Sequence, residues 1–154
     1  MRTTRVVSFV AAAACLVLAS GCKSTEGVVN PYIAVAGSYT LLTVNGQLPL
    51  RFQAGVSGET TVDIMSGILA LTATGTFQEV FQYHVTPPPP AVAFDGPSAT
   101  SGTYRLDGSN VTFTYIPGSG GPYSWSGTIV DGTLTYIDPG FPNVTGGLTA
   151  VYTK

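Results

Sequence analysis

The chain of 154 residues is poor in the side chains on which most chemistry depends. It has one histidine, His84, and two cysteines, Cys15 and Cys22. No cysteine follows Cys22, so no disulfide can staple the body of the chain, and a zinc site of the His/Cys kind lacks its ligands. Lys and Arg number 6 and are scattered, which excludes nucleic acid as a partner, because phosphate backbones are held by clustered basic side chains. No serine stands in a Gly-x-Ser-x-Gly nucleophile elbow. Asp107, Asp131 and Asp138 fall at turns, where Asp bonds its own backbone, so no carboxylate pair is visible for acid–base work. These absences point away from an enzyme, and no cofactor or metal is expected.

The most informative stretch that is present lies at the start. Arg2 and Arg5 precede an apolar run from Val6 to Ala19, and small residues lead into Cys22. This is the three-part layout of a secretory signal peptide. The run is shorter than the roughly 20 residues that a permanent membrane helix needs. Its ending, Ala19-Ser20-Gly21-Cys22, resembles a bacterial lipobox, which implies cleavage after residue 21 and acylation of Cys22 by chains such as palmitate. Lys23 in the next position implies, by the same resemblance, retention at the outer membrane facing the periplasm. The expected organisation is a lipoprotein signal peptide over 1–21, a lipidated N-terminus and tether over 22–36, and a folded domain over 37–154. Within the tether, Val28 to Ala36 is apolar enough to dock against the domain. Past Cys22 there are four basic and eight acidic residues, a net charge of about −4, so attachment to the envelope membrane falls to the acyl chains.

From Gly37 onward the sequence is β throughout, with Gly, Pro and Asp-Gly punctuation roughly every 8–12 residues. Expected strands are Ser38–Val44, Leu50–Ala54, Thr60–Met65, Ile68–Ala73, Thr76–Thr86, Gly102–Leu106, Asn110–Ile116, Tyr123–Val130, Thr133–Ile137 and Leu148–Thr153. Ser66-Gly67 is alternatively a bulge that joins the third and fourth of these into one bent strand. Asp107-Gly108 and Asp131-Gly132 read as tight hairpin turns. Short turns between successive strands imply an up-and-down meander.

Alternation sorts the faces. Phe77, Phe81, Tyr83 and Val85 share one face of their strand, and Gln78, Gln82 and His84 the other. Val111, Phe113 and Tyr115 oppose Thr112 and Thr114, and Tyr123, Trp125 and Ile129 oppose Ser124, Ser126 and Thr128. One aromatic face and one Thr/Ser/Gln face per strand suits a closed water-soluble barrel of about 8–10 strands, which buries one side and leaves no sticky edges. A transmembrane barrel would need strands of 9–11 residues, longer than several of these.

The stretch from Gly37 to Lys154 is similar to the small lipocalin-like domains of bacterial lipoproteins. The carriers are Gly37-Ser38-Tyr39-Thr40-Leu41 with Val44-Asn45-Gly46, the Gly75-Thr76-Phe77 hairpin start, the two Gly-Thr … Asp-Gly hairpins and the closing Leu148-Thr149-Ala150-Val151-Tyr152. Lipocalins open with Gly-x-Trp, where this chain has Gly37-x-Tyr39, and no arginine follows Arg105 to cover that ring. The resemblance implies a calyx-like barrel and a carried ligand.

Two features bear on that ligand. Glu79 shares the parity of Phe77, Phe81 and Tyr83, so simple alternation points a carboxyl into the aromatic face. Either a bulge near Gln78–Val80 or a place at a wet mouth brings it to water, or it faces a ligand with Arg51, Arg105 or a core tyrosine as partner. The second feature is an inward set of amphipathic rings, Tyr83, Tyr104, Tyr115, Tyr123, Tyr136 and Trp125, which either fill the core or line a cavity. Pro87–Pro90, followed by Phe94, forms a stiff spacer or a lip over a barrel mouth. His84, on the polar face, is a bystander. Two functions follow: binding of a small hydrophobic or amphipathic ligand inside the barrel, or a structural role in which a filled barrel meets an envelope protein as partner or inhibitor. A connected pocket of roughly 300 Å³ or more lined by these tyrosines favours the first.

Overall fold

The computed structural model describes residues 29–55, 58–118, 120–141, 144 and 146–154. The expected leader, 1–21, and Cys22 lie outside them. A five-residue helix, α1 (Pro31–Val35), precedes nine strands: β1 (Gly37–Val44), β2 (Leu50–Ala54), β3 (Thr60–Leu71), β4 (Thr76–Thr86), β5 (Phe94–Asp107), β6 (Asn110–Tyr115), β7 (Tyr123–Val130), β8 (Thr133–Asp138) and β9 (Leu148–Thr153). From β3 to β9 each strand pairs antiparallel with the next, and β1 closes the circuit by pairing with both β9 and β3. The result is a closed eight-stranded up-and-down barrel, with β2 folded back as a short extra strand on the first half of β3.

Local chemistry accounts for the main corners. Asp131 and Gly132 both take positive φ, 49° and 76°, as a two-residue hairpin turn demands. β3 is one strand with a register shift between Ile64 and Ser66, so a bulge at Met65, one residue before the expected Ser66-Gly67, joins what alternation alone would split. The bend lets Thr60–Ala54 pairing serve β2 while Ile68–Leu71 serves β1.

The largest departure from expectation is β5, which begins eight residues before Gly102. Phe94–Gly102 pairs in continuous register with β4, so Pro87–Pro90 bridges two strands, as a spacer was expected to do, at the tip of a long hairpin. Pro97 is tolerated because this half of β5 has a ladder on one side only; pairing with β6 starts at Thr103. Gly102 stands where the strand acquires its second neighbour. A Cβ there would lie 2.2 Å from the Thr114 carbonyl oxygen, so only glycine admits the approach.

The inner faces build one core, from Tyr39, Leu41 and Val44 on β1 through Leu69 and Leu71 on β3 to Leu148, Ala150 and Tyr152 on β9. Phe113 and Leu134 are completely buried at its centre. α1 docks under one end of this core, as the apolar segment preceding Gly37 was expected to do. Asn30 caps it by accepting from the Tyr32 N–H at 3.0 Å, Pro31 occupies the first turn, and the Asn30 amide also donates to the Ala73 carbonyl at 3.1 Å. Tyr32 meets Tyr104 edge to face at 5.2 Å, and the Tyr39 hydroxyl donates to the Val35 carbonyl at 2.7 Å.

Candidate functional site

The opposite end is open. The inward positions of β4 are its odd-numbered residues, and they carry Glu79, Phe81 and Tyr83 toward that end. β6 adds Tyr115, β7 adds Tyr123 and Trp125, and β8 adds Tyr136 and Asp138. Between the ring-bearing β4 and β6, β5 contributes only Ser98 and Thr100 to the lining, short side chains that fill little of the interior. A cavity of about 490 Å³ remains between them, with Phe52 of β2 and Phe141 closing its outer side, their rings 5.8 Å apart.

Glu79 is the deepest polar group. Its backbone lies in uninterrupted register with β5, so no bulge swings it outward, and the residue is only 5% exposed. A single oxygen, Oε1, accepts from the Tyr136 hydroxyl at 2.6 Å and from the Tyr152 hydroxyl at 2.5 Å. The partner is therefore a pair of core tyrosines, and neither arginine. Arg51 forms a two-pronged pair with Asp63 (2.7 and 2.9 Å), and Arg105 is exposed on the outer face of β5. Burial raises the Glu79 carboxyl above its ordinary value of 4.5, the two tyrosine hydrogen bonds acting against that shift and the charge of Asp138 with it. Burial and the neighbouring Glu79 charge also raise Tyr136 and Tyr152, and push Tyr83 up to about 12.

Trp125 forms the floor. It stacks on Phe113 at 5.5 Å and meets Phe77 edge to face at 5.6 Å. The residue is 6% exposed, and its indole N–H is buried without a hydrogen-bond partner among the described residues. At the rim, the Tyr123 hydroxyl donates to Asp138, and the Gly140 N–H donates to both the Tyr123 hydroxyl (2.8 Å) and Asp138 Oδ1 (3.0 Å). This knot holds Tyr123 and the start of the β8–β9 connection together.

Six of the seven residues that alternation marked thus meet in one cavity: Glu79, Tyr83, Tyr115, Tyr123, Trp125 and Tyr136. Tyr104 does not. It is buried at the far end, where its hydroxyl donates to the Thr72 carbonyl at 2.7 Å beneath α1. Parity gives the face of a strand and says nothing of height along the barrel, which is why Tyr104 was grouped with the others. Tyr152, Asp138, Phe52 and Phe141 were missed. Tyr152 shares parity with Leu148 and Ala150 and could have been found; Asp138 reads as a turn residue because it ends its strand.

No family model, curated protein or solved structure matches this chain. The reading of the site therefore rests on its own geometry.

His84 lies on the outer face, as its parity indicated, with Nδ1 2.7 Å from Asp95 Oδ1. It belongs to a transverse row, Arg51–Asp63–His84–Asp95, whose members face one another in register across β2, β3, β4 and β5. Among the described residues no three acidic, histidine or cysteine side chains gather as a metal site.

Proposed function

We propose that this is a lipid-anchored protein of the bacterial cell envelope whose lipocalin-like barrel binds a small apolar or amphipathic molecule, and that it acts by holding that molecule and performs no reaction on it. One observation carries the reading: the cavity of about 490 Å³, open at one end and walled by tyrosines and Trp125. Its volume falls within the range of small-molecule sites, and its lining combines broad apolar surface with a few polar groups that can orient a ligand. A barrel filled for purely structural ends would carry larger side chains than Ser98 and Thr100 on β5, between the ring-bearing β4 and β6. The anchor is Cys22, and the tether leads from it to α1.

Native mass spectrometry of the protein purified from its own envelope tests the binding role; a co-purifying small-molecule adduct is the expected result. Titration with apolar probes, followed by Trp125 fluorescence, provides the second measurement, since Trp125 is the single tryptophan. No adduct, together with no probe binding below about 100 μM, overturns the reading in favour of a role in protein contacts. For the anchor, Cys22→Ser is expected to release the protein from membranes; a substituted protein that stays bound after leader cleavage overturns it.

A further inference from the structure

We infer that the molecule held in the open cavity is a small organic cation, an amine on an apolar or aromatic body, seated between Glu79, Asp138 and the surrounding aromatic rings. This rests on the binding reading above and narrows it to a chemical class.

The charge inventory is the first support. Both ionisable acids of the inner surface, Glu79 and Asp138, line the cavity, and no Lys, Arg or His does. The described cations are committed elsewhere or point away: Arg51 grips Asp63 on the outer face, Arg105 faces outward, and Lys154 lies 5.8 Å over the Tyr39 ring at the plugged end. A fatty acid, phosphate or other anion would therefore find no cationic side chain to offset its loss of water. An ammonium meets the opposite condition.

Glu79 supplies the second support. Both tyrosine hydroxyls converge on Oε1, which leaves Oε2 with no hydrogen-bond partner among the described residues. A carboxyl this buried resists ionisation, and a cation docked against it is the partner that offsets the cost. Phenol and indole faces add to this, because their quadrupoles attract cations, most strongly in sites shielded from water. Tyr115, Tyr123 and Trp125 have ring centroids within 6 Å of one another and form such a cluster beside Asp138.

The test uses three probes of one shape: 2-phenylethylamine, 2-phenylethanol and 3-phenylpropionate, titrated at neutral pH with Trp125 fluorescence and calorimetry. The amine is expected to bind at least tenfold more tightly than the alcohol, and the carboxylate least tightly of the three. Glu79→Gln should bring the amine to the level of the alcohol while leaving the alcohol unchanged, and Arg105→Gln, on the outer face, should change neither. Equal affinity for amine and alcohol, or a preference for the carboxylate, overturns the cation inference and leaves the binding reading standing. Absence of binding by all three, with no response to other apolar probes, overturns both. Should Glu79→Gln fail to fold, the three-probe series on the native protein still decides the matter, and Asp138→Asn at the rim should lower the amine preference in the same direction.

Discussion

The two ends of the barrel are built from the same residue type and do opposite things with it. At the plugged end Tyr39 and Tyr104 give their hydroxyl protons to backbone carbonyls, of Val35 and Thr72. At the open end Tyr136, Tyr152 and Tyr123 give theirs to carboxyl groups, of Glu79 and Asp138. A carbonyl is neutral at every pH, so the first set fastens α1 and the β3–β4 turn. A carboxyl changes charge and retains a second oxygen, so the second set leaves a group free for something else. The partner of a buried tyrosine, more than its burial, separates scaffold from site.

The sharpest way to break this comparison is to remove bulk at each end. Phe113→Ala, in the filled centre, is expected to cost about 3–5 kcal/mol in urea melts, as for a fully enclosed ring. Phe81→Ala, whose ring already borders open space, should cost measurably less, because the hole it leaves merges with the cavity. Equal losses would mean that the two regions are packed alike.

Acid–base behaviour gives the next largest contrast. Glu79 titrates higher in the folded chain than in the unfolded one, so its contribution to stability is complete below about pH 4.5 and declines as pH rises toward the folded value. Thermal melts between pH 4.5 and 8 should therefore show the native protein losing stability relative to Glu79→Gln. A constant difference across that window contradicts the raised carboxyl. Tyr152→Phe, which removes one hydrogen bond favouring the charged form, should steepen the decline.

At the plugged end the matching experiment is insensitive to pH. Tyr104→Phe leaves the Thr72 carbonyl without its side-chain donor and is expected to cost about 1 kcal/mol, the same at pH 5 and pH 8. The smallest effect belongs to the outer row. Arg51 holds the Asp63 carboxyl below its ordinary value of 3.8, so the stability from this pair is present above that pH and is lost as pH falls through the folded value. Arg51→Gln should move the acid-unfolding midpoint to higher pH and leave probe binding at pH 7 unchanged.

Much of the barrel was legible because alternation and turn chemistry are local. The Asp-Gly turns, the single bent β3 with its bulge within one residue of Ser66-Gly67, and the inward parity of Glu79, Tyr83, Tyr115, Trp125 and Tyr136 can all be read from neighbours in sequence. The first half of β5 could not. Phe94–Ser101 carries Gly96, Pro97 and small polar residues that read as loop, and it becomes strand because β4 offers a ladder of matching length. The same poverty of side chains, illegible as a strand, is what leaves the cavity space. The Glu79–Tyr136–Tyr152 cluster was half visible. The inward carboxyl and the inward tyrosines are local facts, but their meeting joins β4 to β8 and β9 across 57 and 73 residues.

α1 also fixes a direction. The chain enters the barrel at the pole it plugs, while the mouth lies at the other, so whatever precedes Val29 is attached to the blind pole. If the proposed acyl anchor holds the chain, it holds the barrel by that blind pole, as a cup is held by its base. Any surface that retains the protein then shields the end with nothing to exchange, and the rim at Tyr123 and Asp138 is left facing open water.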